Sequence, residues 1–262
     1  MAQVEEIDIS VPDSRRMRFE WLLPVFIRPV RTMRAVAAEE HAQWLLPMLL
    51  LTVLTVIFMV VAGPLRQQAI LTASVEMPEG FEYMTPEQQE QYFQAQQSGA
   101  GTAQTHIFPG VAALSGLWLS WFVLGGVLHL VMTLLGSRSS TTTAFNLASW
   151  ASMPFALRLI VQMIAMLATK TLIAGPGLSG FVAADAAGAL VFVRVMLGLV
   201  DIYLMWQLVL LVIGASATGL PRRKAIAGVL MVILLVLLLA ALPGFGMAQL
   251  SGLSVDRPFM FF

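Results

Sequence analysis

Residues 201–224 read DIYLMWQLVLLVIGASATGLPRRK. An acid heads an apolar run that closes on a Gly-Leu-Pro turn and three consecutive cations. A carboxylate in hydrocarbon costs roughly 2.5 to 3.5 kcal/mol even on a lenient insertion scale, so Asp201 needs a partner or a job. Arg222, Arg223 and Lys224 mark the turn as facing the side of the membrane where cations accumulate.

The whole chain fits a membrane setting. Of 262 residues, 58% are hydrophobic and 11% charged, and the mean hydropathy is +0.81. Soluble domains carry about 25% charged residues, so the composition belongs to the membrane class. The net charge is zero and gives no argument for a nucleic-acid partner. The absence of cysteine excludes disulfides, thiolate metal ligands and cysteine nucleophiles. Residues 1–20 carry Glu5, Glu6, Asp8 and Asp13 with no apolar core, so no signal peptide is expected there.

A bilayer core about 30 Å thick takes about 20 helical residues to cross. Five runs qualify: Trp44–Ala62, Phe108–Leu135, Phe145–Ile173, Ala186–Gly214 and Ala225–Leu242. Gly or Pro follows each: Gly63-Pro64, Gly136, Gly175-Pro176-Gly177, Gly219-Leu220-Pro221 and Pro243-Gly244. The expected fold is an all-α membrane protein, a five-helix transmembrane bundle with an N-terminal interfacial amphipathic helix. Its expected domains are a cytoplasmic segment (1–43), a five-span unit (44–242) with an external insertion (63–107), and an external tail (243–262). With the N-terminus inside, inner segments hold Arg15, Arg16, Arg18, Arg28, Arg31, Arg34, Arg138, Arg222, Arg223 and Lys224. Outer segments hold Arg66, Lys170 and Arg257, a bias of ten to three that favours this orientation. The tail RPFMFF (257–262) is then outside, against the interface or in a partner's groove.

Residues 28–43, RPVRTMRAVAAEEHAQ, place Val30, Met33, Val36 and Ala37 on one helical face and Arg28, Arg31 and Arg34 on another. The pattern is that of a basic helix on the inner membrane surface, and the bland alternative is a solvated connector. In the insertion, Thr85-Pro86-Glu87-Gln88 has capping-box spacing and predicts a helix over about 86–97. That helix serves as an external partner contact or as a cap over the bundle.

At 1.5 Å per residue, Arg158 lies about 22 Å and Asp201 about 25 Å from the same inner boundary. The two are expected to pair across the third and fourth helices. Arg194, two turns away from Asp201 on the fourth helix, reaches the outer interface instead. The pair reads as structural glue or as part of an ion or proton relay. His129, in LGGVLHLVMTLLG, is a candidate polar or ligand position, either bonded to a neighbour or ligating a haem or chlorophyll. Gly180, Ala184 and Gly188 follow small-residue packing spacing, and Gly125-Gly126 interrupt the second run. Neither HExxH, GxSxG, a P-loop nor a dinucleotide fingerprint occurs, and Asp185 and Asp201 lie too far apart for an aspartyl dyad. No enzyme activity, metal or cofactor is expected.

The pattern resembles the YIP family, the Ypt/Rab-interacting protein domain, in its bacterial form. FIRPVRTMRAVAAEEHAQWLLP (26–47), MTPEQQEQYF (84–93), AFNLASWASMPFALRLI (144–160) and DIYLMWQLVLLVIGASATGLPRRKAIAGV (201–229) carry the likeness, which spans roughly residues 26–242. The third stretch is similar to the family's serine-proline turn. The resemblance implies an integral membrane protein with a cytosolic N-terminus and no enzymatic activity. Eukaryotic members work in vesicle traffic with small GTPases, and bacterial members join membrane complexes, including ABC-type exporters. The short N-terminal region and the insertion of residues 63–107 depart from the eukaryotic pattern and count against a GTPase partner. The leading expectation is a non-catalytic accessory or scaffold subunit of a bacterial inner-membrane complex, with membrane lipids and other membrane subunits as partners. The alternatives are a small transporter or channel using Arg158 and Asp201, and a subunit of a pigment- or quinone-containing complex.

Overall fold

The computed structural model describes residues 17–73, 81–99, 101–173, 177–182 and 189–251. The tail at 257–262 lies outside the described residues, as do Asp185, Ala184 and Gly188. Every regular element among the described residues is helical: α1 (Pro24–Ile27), α2 (Pro29–Ala38), α3 (Leu45–Ala73), α4 (Pro86–Gly99), α5 (Phe108–Leu134), α6 (Thr141–Ala151), α7 (Pro154–Thr169), α8 (Ala189–Gly198), α9 (Ile202–Ala217) and α10 (Arg222–Ser251), with short 3-10 turns and one π-turn between them. Four stretches are long and apolar enough to cross a membrane: Leu45–Thr72, Ala103–Leu134, Thr141–Thr169 and Arg222–Pro243. The pair α8 and α9 makes a fifth if it counts as one span, although its halves meet at 69°. The molecule is an all-α membrane bundle.

The Gly and Pro signals mislead at two ends. The Gly63-Pro64 pair does not close the first run, because α3 carries Pro64 inside and continues to Ala73. Likewise Pro243-Gly244 lies within α10, which ends at Ser251. A proline deletes one ladder bond and bends a helix in water, but an apolar surrounding offers the backbone no competing partner. The fourth run is the reverse case. No proline interrupts it, yet it breaks between Gly198 and Ile202.

The core lies where α5 and α6 form a hairpin, with α10 packed on α5 and α9 on α6. Leu128 and Val131 of α5, Leu147 and Trp150 of α6, Leu210 and Leu211 of α9, and Val229 and Val232 of α10 are all buried there. Helix α2 packs into the crevice between α6 and α9. Its apolar face is divided: Met33 and Val36 are fully buried in the bundle, while Val30 is exposed. The slot for Met33 comes from Gly214, since a Cβ there would sit 2.5 Å from Leu147 Cδ2 and 3.2 Å from Met33 Cε. Gly125 similarly admits the Phe145 ring, whereas Gly180 has no neighbour within 4 Å of a Cβ position among the described residues.

The capping box of α4 is made: Gln88 N–H donates to Thr85 Oγ1 at 3.4 Å, and Thr85 N–H donates to Gln88 Oε1 at 3.0 Å. Phe81, Tyr92 and Phe93 then stack edge-to-face, which gives this polar helix an apolar contact of its own.

The segment before α3 is tied back by Glu39. Its carboxylate accepts from Arg18 Nη2 at 2.9 Å and lies 3.2 Å from His41 Nδ1. Burial pushes the Glu39 carboxyl up, but the hydrogen bonds from His41 and Arg18 outweigh it and hold the group below its ordinary value. A depressed carboxyl stabilises the folded form above its unfolded pKa and loses that contribution as pH falls through the lower folded value. Limited proteolysis of residues 17–43 should therefore be slow at pH 6 and accelerate below about pH 4. Glu39→Gln should make the segment labile at both pH values, and an unchanged wild-type rate across this range would contradict the latch.

Candidate functional site: a polar seam beside a broken helix

The break in the fourth run is built from its own residues. Asp201 adopts an extended backbone (φ −147, ψ −176), and its Oδ1 accepts from Leu204 N–H at 2.9 Å. Aspartate is among the strongest N-cap residues because its oxygen satisfies an amide left free at the helix start. Asp201 is thus the N-cap of α9, not the interior position that a continuous run over 186–214 implies. On the other side of the break, Leu178 N–H donates to Leu197 O at 3.0 Å and to Val200 O at 3.1 Å. The turn that delivers Leu178 needs Gly177, whose φ is +58 and whose Cβ, if present, would lie 2.6 to 2.9 Å from three carbonyl oxygens of residues 197–200. Two of the carbonyls opened by the break thereby find a donor within the protein, which an apolar surrounding favours.

The second carboxylate oxygen faces α7. Arg158 Nε lies 3.1 Å from Asp201 Oδ2, and the two side chains are 20% and 12% exposed. Six residues further along each chain, in antiparallel sense, Gln207 Nε2 donates to Ser152 Oγ at 3.0 Å. Ser152 Oγ in turn donates to Ala148 O at 2.8 Å. Beyond that rung comes the close approach of Gly214 to Leu147. Polar and small-residue contacts therefore fix one register between α6–α7 and α9.

A third polar group, on α6, was not singled out by reading the sequence. Asn146, fully buried on α6, accepts from Gln43 N–H at 2.7 Å through Oδ1 and donates to His41 O at 2.8 Å through Nδ2. Trp150 Nε1 donates to Gln43 O at 3.0 Å, and its ring meets Trp21 edge-on with centroids 5.4 Å apart. The link from α2 to α3 is thus held by the side chains of α6. The available signal was the cost of an amide within an apolar helix, which applies to Asn146 and Gln207 alike.

His129 Nε2 lies 3.2 Å from Thr141 Oγ1 across the α5–α6 hairpin, and its Nδ1 is buried without a hydrogen bond. Arg28, the residue before α2, and Arg31 and Arg34 on it are exposed, and Arg222, Arg223 and Lys224 are exposed in the first turn of α10. A helix N-terminus disfavours cations, so that second cluster is not there to stabilise α10. Lys224 instead reaches Leu135 O, where α5 ends, at 3.3 Å. Arg194 lies on α8, beyond the break. No group of three or more metal-ligating side chains occurs among the described residues.

No curated protein and no solved structure matches the chain. The family model of the Yip1 domain matches residues 23–242, a stretch that takes in α2, the polar seam, the serine-proline turn and the start of α10. A multi-span helical bundle that carries this domain over most of its length belongs to the Yip1 domain family.

Proposed function

We propose that this chain is a non-catalytic accessory or scaffold subunit of a bacterial inner-membrane complex serving export, with a cytoplasmic N-terminus and an external C-terminus. The observation that carries the reading is how Asp201 is used. One oxygen caps α9 through Leu204 N–H, and the other binds Arg158 Nε. A relay residue must exchange its proton or ion with a neighbour along a path, whereas both oxygens here hold helices in place. The excess of cations in segments assigned to the inner side supports the orientation. The outward faces of the spans leave room for lateral neighbours beside lipid: in the Ala103–Leu134 span, 17% of the most apolar window is buried within the chain.

The transporter reading draws on the same buried pair, so one experiment separates the two. Wild-type protein and Asp201→Asn are reconstituted into vesicles carrying a pH-sensitive dye and subjected to proton and cation gradients. The accessory reading expects no flux above empty vesicles from either protein. It also expects the same membrane subunits to co-purify in gentle detergent in fixed proportion. Flux that is present in the wild type and abolished by Asp201→Asn, with assembly intact, would establish transport instead.

A further inference from the structure

The N-terminal segment has two faces, and only one is covered. Trp21 and Phe26 stack on Trp150 and Trp206, and Val25 is fully buried. The opposite side presents Phe19, Leu23, Ile27 and Val30, which are 61%, 65%, 65% and 45% exposed. Phe19, Leu23 and Ile27 follow one another at four-residue spacing along the turns of residues 19–27, and Val30 comes just past the bend at Arg28 (φ −130, ψ 56). Beside this stripe lies a groove of about 450 Å³ lined by Arg28, Pro29, Val30, Arg31 and Arg34. Among the described residues no carboxylate lines it, and none of the three arginines makes an ion pair. Of the acids nearest in sequence, Glu20 and Glu39 both face Arg18, and Glu40 is not among the residues that line the groove. The start of α2 opens onto the same place: its N-cap is Arg28, and no side chain caps its first amides. Free amides and a positive dipole end attract an anion, and guanidinium forks fit phosphate oxygens.

We propose that this groove binds the phosphate headgroup of an anionic phospholipid, with Arg28, Arg31 and Arg34 around the phosphate and Phe19, Leu23, Ile27 and Val30 among the acyl chains. Charge complementarity selects the anionic headgroup. The apolar stripe beside it selects a lipid over a free anion, because four exposed large apolar side chains in a row gain nothing from a soluble phosphate. The site is independent of any partner complex and stands whether or not the chain is an accessory subunit.

The test uses the full chain in neutral detergent, with lipid retention followed by native mass spectrometry. Wild type should retain dioleoyl phosphatidylglycerol in preference to dioleoyl phosphatidylcholine. Replacing all three arginines by glutamine should weaken the phosphatidylglycerol affinity about a hundredfold, since each cation at an anionic surface is worth about 1 kcal/mol and about 1.4 kcal/mol is tenfold. Arg28→Lys, Arg31→Lys and Arg34→Lys together should keep most of the preference. Equal retention of the two lipids by wild type, or undiminished phosphatidylglycerol retention after the glutamine exchange, would overturn the proposal. Because the chain has no cysteine, Ile27→Cys carries a single bimane label whatever the fate of the arginine variants. In vesicles its fluorescence should be quenched by brominated phosphatidylglycerol and not by aqueous iodide. The reverse pattern, or displacement of the lipid by millimolar inorganic phosphate, would also overturn it.

Discussion

Asp201→Ala is expected to cost about 4 to 6 kcal/mol and to leave little folded protein in detergent. Two effects combine. Removing the carboxylate strands Arg158 as a buried charge without its partner, a change worth about 3 to 5 kcal/mol. It also removes the oxygen that satisfies Leu204 N–H, and loss of an aspartate cap costs about 1 kcal/mol. The distances of 3.1 Å to Arg158 and 2.9 Å to Leu204 N–H make both contributions real in this site. Asp201→Asn separates them, because asparagine caps as well as aspartate but carries no charge. It should be more stable than Asp201→Ala by about 1 kcal/mol and still well below wild type. Melting by fluorescence-detected size exclusion reads all three. Equal melting of the alanine and asparagine variants would remove the capping role.

Asn146→Leu keeps most of the side-chain volume and deletes both of its hydrogen bonds. Gln43 N–H and His41 C=O, joined to Asn146 at 2.7 and 2.8 Å, would then lack their partner. An unpaired buried group costs about 1 to 3 kcal/mol, so the pair amounts to about 2 to 6 kcal/mol. The damage should be local at first, with protease cutting between α2 and α3 while the α5–α6 hairpin stays protected. Wild-type resistance at residues 39–44 would show that Trp150 and the Glu39 latch hold the link without Asn146.

The parts legible in the sequence were those governed by one-dimensional counting. Four spans and the α4 cap follow from apolar run length and from Thr85 and Gln88 spacing, which need no tertiary partner. The common level of Arg158 and Asp201 follows from residue counting because α9 is unbroken between Asp201 and Thr218. The break itself was not legible. An aspartate after an apolar run reads as an interior charge or as an N-cap, and what decides is Gly177 and Leu178, some twenty positions earlier, meeting the open carbonyls of residues 197–200. The fate of Gly63-Pro64 and Pro243 was hidden for a related reason, since whether a proline ends a helix depends on what surrounds the freed carbonyl. The division of α2 into a covered and an open face required the position of Gly214, a residue 181 positions from Met33. Asn146 and Gln207 were visible as polar residues in apolar helices, but their partners are a backbone link and a serine that no periodicity marks.

Arg158 and Asp201 are expected to act as one unit that seats the broken helix on α7. A double-mutant cycle with Arg158→Gln, Asp201→Asn and the combined variant tests it directly, using unfolding free energies in detergent. The combined variant is expected to be no less stable than either single one, with a coupling of at least about 1 kcal/mol. Additive losses, with a coupling near zero, would contradict it.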